Sequence, residues 1–108
     1  QFAGYLAEHL HADKPIDAIM VATDCEAMVA LAACRLFGRT DIAVTGYDNY
    51  WQTLSELKWE PARPLATVDK DNHHLGEVMV DVLLDRIAGN LPAGPQRRLV
   101  PQQVVGSN

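Results

Sequence analysis

Alternation constrains this chain more than any other feature. Short apolar runs that end on polar turns trade places with stretches of helical period. Residues 16–22 (IDAIMVA), 41–45 (DIAVT) and 65–68 (LATV) have the length and apolarity of buried strands. Before the first of them, Phe2, Leu6 and Leu10 recur at four-residue spacing, as on one face of a helix. The stretch His11-Ala12-Asp13-Lys14-Pro15 ends that helix. Thr23 and Glu26 have capping-box spacing and open a second helix, which runs to about Phe37 and stops at Gly38. A third helix is expected over 72–88, where Leu75, Val78, Met79, Val82, Leu83, Arg86 and Ile87 keep i, i+3, i+4, i+7 spacing. Gly89, Asn90 and Pro92 terminate it, and 99–100 and 104–105 read as short final strands around Pro101. Residues 50–64, with Tyr50, Trp51 and Trp59, are irregular, with a helical turn over 53–57. The order α-β-α-β-loop-β-α-β predicts an α/β fold with a mostly parallel sheet flanked by helices.

Composition narrows the function. The 108 residues suffice for one small domain. With 48% apolar and 21% charged residues the chain should fold rather than stay disordered. A net charge of −5 argues against direct nucleic-acid binding by this segment, because displacing counterions needs a basic footprint. Cys25 and Cys34 fall in one predicted helix, about 13.5 Å apart along its axis, too far for a disulfide. Free thiols suit a cytoplasmic location. No apolar run reaches the ~18 residues of a membrane span. The Gln1-Phe2-Ala3 start and the lack of a visible signal peptide read as the middle of a longer gene product. No P-loop, G-x-G-x-x-G or G-x-S-x-G is present, so no cofactor and no enzymatic activity are expected. His73 and His74 are adjacent and would diverge by about 100° on a helix, poor spacing for a metal.

Asp48 is the foremost site candidate on position alone. It follows a buried strand through Gly46, at the carboxyl end where open α/β sheets bind ligands. A carboxylate there can accept hydroxyl hydrogen bonds, or it can cap the loop. Thr23 and Asp24 stand at the end of the preceding strand, where both could also cap the helix. Tyr50, Trp51 and Trp59 suit either a sugar face or an interface.

Several segments in order resemble the lactose-repressor (LacI/GalR) family of regulators. They are Pro15-Ile16-Asp17-Ala18-Ile19 with Ala22-Thr23-Asp24, Thr45-Gly46-Tyr47-Asp48-Asn49, and Leu65-Ala66-Thr67-Val68. Leu75-Gly76 with Val82-Leu83-Leu84-Asp85-Arg86-Ile87, and Arg97-Arg98-Leu99-Val100-Pro101 with Val104-Val105, complete the match. The resemblance implies the C-terminal part of an effector-binding domain of periplasmic-binding-protein-like type. Residues 16–71 would form the C-terminal subdomain core, 72–90 a crossover helix and 97–105 the closing strands, all within 1–108. The N-terminal subdomain and the DNA-binding head would fall outside the chain. The implied function is effector sensing and dimerisation in a cytoplasmic transcription regulator that reaches operator DNA only through that head. The effector would be a small polar metabolite, a sugar by class. The resemblance places Asp48, Thr23, Asp24 and Lys70 at ligand-contacting positions. It places the dimer contact on the second helix and the loop after Asn49, through Met28, Leu31, Tyr50 and Trp51. A periplasmic sugar-binding protein is the alternative, and a doubly wound α/β enzyme a further one. Thr23 departs from the family's amide at its position, and the loop after Asn49 is longer.

Overall fold

The computed structural model describes residues 1–11, 13 and 15–106. Ala12 and Lys14, within the predicted helix stop at 11–15, lie outside the described residues, as do Ser107 and Asn108. Helix α1 (Phe2–Ala7) leads into β1 (Ala18–Met20), α2 (Asp24–Leu36) and β2 (Ala43–Thr45). Two 3-10 turns, Trp51–Thr53 and Ser55–Lys58, precede β3 (Ala66–Asp69), α3 (Asn72–Ile87) and β4 (Gln103–Gly106). The sheet order is β1-β2-β3-β4, with the first three strands parallel and β4 antiparallel to β3. This is the mostly parallel α/β sheet that the alternation predicts.

The expected strand at 99–100 does not form, and β4 alone closes the sheet. Pro101 has no N–H to give a ladder and biases the residue before it, which pushes pairing to its far side. The predicted turn at 53–57 becomes two tighter turns with Leu54 extended between them.

Side-chain alternation gives the sheet two unlike faces. Ile19, Val44 and Thr67 point to one face, where Val44 and Thr67 are buried. There Ala27, Ala30, Ala33 and Cys34 of α2 join Ile42, Val44, Leu6 and Leu10 in the core. Met20, Thr45, Ala66, Val68 and Val104 point the other way, and Met20 is 87% exposed. They line an open, largely apolar groove of about 590 Å³ that reaches Ala22, Gly46 and Tyr47 at the strands' carboxyl ends.

Helix α2 is apolar on most of its faces, so the sheet alone cannot cover it. The structure supplies the second cover from within. Helix α1 packs on α2, and the turn carrying Trp51 does so as well. Met28 is 0% exposed and Trp51 6% exposed. Both are packed within this chain, so the dimer contact expected at Met28 and Trp51 finds little exposed surface there. Leu31 and Tyr50 are half-buried and keep some surface. The exposed apolar groups nearby in sequence are Leu36, Phe37 and Trp59. Glu60, itself buried, accepts from Arg35 Nε at 2.8 Å and so pins the end of the aromatic loop to α2.

Helix α3 departs from the sheet altogether. None of its residues is buried, and Met79, Val80, Leu83, Leu84 and Ile87 are exposed. Because β4 returns antiparallel to β3, the chain leaves and re-enters at the same end of the sheet. The excursion becomes an arm, with Gln96, Arg98 and Val100 alongside Leu75, Val78, Met79 and Val82. The radius of gyration, 18.7 Å, exceeds the ~13 Å of a compact domain of ~100 residues. No helix of the described residues is long and apolar enough to cross a membrane.

Candidate functional site

The strands end on a loop that crosses all the polar candidates. Gly46 N–H donates to Ala66 O and Asp48 N–H to Val68 O, so the chain beyond β2 stays beside β3. Asp48 and Asn49 then take φ values of 101° and 55°. Two successive non-glycine residues in that region are uncommon, and such conformations cluster where a side chain is being aimed.

Asp48 and Lys70 come together. Lys70 Nζ lies 2.5 Å from Asp48 Oδ1, with both side chains half-buried. Lys70 also sits over the Tyr47 ring, 5.4 Å from its centroid. The bond to Asp48 raises the Lys70 pKa above the usual lysine value and keeps the ammonium charged. Tyr47 lines the groove, and Lys70 approaches its ring from outside that lining, beside the strands' carboxyl ends.

Thr23 and Asp24 are placed differently. Thr23 is the N-cap of α2, and its Oγ1 accepts from Glu26 N at 3.2 Å. Glu26 reaches back to accept from Ala22 N, one residue before the cap, so the box forms with a shifted register. Asp24 is 0% exposed. Its Oδ2 accepts from Tyr50 N at 2.7 Å and Trp51 N at 3.0 Å, and its Oδ1 from Thr67 Oγ1 at 2.7 Å. Thr67 Oγ1 in turn accepts from Asn49 N. The carboxylate thus anchors the loop, with no surface toward a ligand, and the expectation of a ligand contact at Asp24 does not fit this placement.

Three groups joined to the site had no signal strong enough to single them out. Asn49 Nδ2 donates to Asp69 Oδ2 at 3.0 Å, while Asn49 Oδ1 is buried without a hydrogen-bond partner among the described residues. Asp69 Oδ1 accepts from Asp71 N at 2.7 Å. Tyr47 Oη donates to Gln102 Oε1 at 2.6 Å. Only the adjacency of Asn49 to Asp48, and of Asp69 to Lys70, hinted at them. Asp71, at φ 50°, caps α3 by accepting from His74 N. Among the described residues no three His, Cys, Asp or Glu side chains converge as a metal site.

The Asp71 N–H, and then Asn49, hold the Asp69 carboxyl below its ordinary range. A depressed folded pKa contributes stability above the unfolded value of about 3.9, lost as pH falls through the folded value. Acidification below ~4 is therefore expected to loosen the join at 69–71, read as an Asp69 titration by NMR below the free-carboxylate midpoint. A midpoint at or above that of free aspartate would contradict the pairing.

The periplasmic binding protein-like domain family matches residues 2–107. The chain is 34% identical over 87 residues to the HTH-type transcriptional regulator CelR of Thermobifida fusca, covering 78% of this chain and 24% of that one. It is 36% identical over 104 residues to the lactose operon repressor of Klebsiella pneumoniae, covering 91% and 27% respectively. A crystal structure of the Lac repressor bound to ONPG in its repressed state superposes with a TM-score of 0.64 at 33% identity, covering 82% of this chain and 26% of that one. The chain thus spans about a quarter of the length of these relatives.

Proposed function

Since this chain belongs to the periplasmic binding protein-like domain family, we propose that it is the C-terminal part of the effector-sensing domain of a LacI-type transcription regulator. Residues 16–71 form the C-terminal subdomain core, 72–90 the crossover helix and 97–105 the return. The exposed apolar stripe of α3 awaits an N-terminal subdomain, and operator DNA is reached through a separate head. The relatives named above are regulators, which favours this reading over a transport protein. The same likeness favours sensing over catalysis. A second copy on this side of the molecule would meet Leu36, Phe37 and Trp59, with the surfaces of Leu31 and Tyr50, rather than Met28 or Trp51.

The observation that carries the reading is the Asp48–Lys70 pair at the mouth of the strands. A carboxylate acceptor beside an ammonium donor suits a vicinal diol: one hydroxyl donates to Asp48 while the other accepts from Lys70. A small neutral polar metabolite, a sugar by class, has that chemistry. Thr23 Oγ1 accepts from Glu26 N in capping α2, which leaves its O–H proton as the group it could offer a ligand.

The test uses the full-length gene product. A panel of neutral mono- and disaccharides is screened by thermal shift, and a binder is titrated by calorimetry. Asp48→Asn is the informative variant, because asparagine tolerates positive φ and removes only the charge. Loss of one charge-assisted bond predicts about 10- to 150-fold weaker binding, with the unliganded melting temperature nearly unchanged. Unchanged affinity in Asp48→Asn and Asp48→Ala would overturn the binding role.

A further inference from the structure

The loop after β2 makes three bonds in succession, each to a different residue where the α3 arm joins the sheet. Tyr47 Oη donates to Gln102, on the returning segment. Asp48 pairs with Lys70, on the departing segment. Asn49 Nδ2 donates to Asp69, whose other oxygen receives the Asp71 N–H just before α3 begins. No side chain of α3 is buried, so packing within the described residues does not fix the arm's direction. That direction depends on where the arm joins the sheet.

We propose that Tyr47, Asp48 and Asn49 form a strap that sets the angle at which the α3 arm leaves the sheet, and that drawing Asp48 away from Lys70 slackens it. The second half rests on the effector reading above, since it takes the ligand to be what competes with Lys70. The first half does not. Asp69 is a positioning residue here. Its two oxygens accept two donors from opposite sides, one from the strap and one from the arm, so tension in either is felt by the other. An asparagine at the same place has one acceptor oxygen, and its amide nitrogen would confront a donor. The middle bond joins the two charged groups of the strap, and these keep some surface, 28% of the Lys70 side chain and 17% of that of Asp48, although Asp48 Oδ1 itself is buried, as Asn49 Oδ1 is. Ligand capture would therefore open the strap at its centre and leave the two flanking bonds to hold a wider range of arm directions.

Hydrogen exchange on the unliganded full-length protein separates the two halves. Asp69→Asn is expected to speed exchange of amides over 70–75 and also over 47–50 by about tenfold, the scale of one charged hydrogen bond. Exchange in α2 should not change. Asp48→Asn imitates ligand capture by discharging the centre of the strap, and should loosen 70–75 without any ligand. Asn49→Ala added to Asp69→Asn should add little to Asp69→Asn alone, since the bond between the two residues is already weakened, and full additivity would overturn the strap. Acceleration over 70–75 with 47–50 unchanged would reduce Asp69 to a local turn residue and overturn the strap. Unaltered exchange over 70–75 in Asp48→Asn would overturn the release step. Neither outcome depends on whether a sugar binds, so the calorimetric test of the effector reading fails or succeeds separately.

Discussion

Asp24→Ala is expected to cost about 3–5 kcal/mol of stability, the range for stripping one partner from a buried charged network. The carboxylate is fully buried and three donors converge on it: Tyr50 N–H, Trp51 N–H and the Thr67 hydroxyl. Alanine would strand all of them away from water. A domain with a total of about 5–15 kcal/mol could lose much of its margin. Asp24→Asn gives the control that a failed fold would deny. Its amide oxygen can still take both backbone donors, while its NH₂ can donate to Thr67 Oγ1 if the hydroxyl turns. The asparagine variant should therefore keep most of the stability, losing about 1–2 kcal/mol. Urea unfolding of the full-length protein and its variants reads the difference. Equal and small losses in both variants would show that Asp24 does not hold the loop.

Gly46→Ala is expected to be nearly as damaging, for a related reason. A Cβ at residue 46 would stand 2.2 Å from Asp24 Oδ1 and 3.2 Å from Ala27 Cβ. The carboxylate cannot swing aside, because the bonds just described hold it. Overpacking a tight site typically costs about 1–3 kcal/mol, and more where the neighbour is anchored. The glycine is thus required by close approach rather than by a left-handed backbone, since Gly46 is not among the positive-φ residues. The double variant Gly46→Ala with Asp24→Ala should be less unstable than the sum, because the colliding oxygen is gone. Thermal unfolding of the full-length protein measures the cycle, and strict additivity would refute the collision.

The elements were legible because their causes are local. The cap at Thr23, the stop at Gly38 and the apolar stripe of α3 each depend on residues within a few positions of one another. Asp48 could be singled out because a residue following a buried strand lies at its carboxyl end whatever the rest of the chain does. Lys70 was reached through resemblance rather than through its neighbours. What the sequence did not disclose depends on which distant residues arrive at one point. Asp24 looked like a cap or a ligand contact, yet its partners lie 26, 27 and 43 residues away. The resemblance puts Met28 and Trp51 at an interface, and an α2 that is apolar on most faces must be covered by something. Periodicity states that demand without saying which element meets it, and here α1 and the turn at Trp51 do. Tyr47 and Gln102, 55 residues apart, meet only because β4 returns antiparallel beside β3. A one-dimensional pattern determines which face of each element must be hidden and where each element ends. The pairing of strands and the packing of helices decide what hides it, and so decide which carboxylate keeps some surface and which one holds the loop.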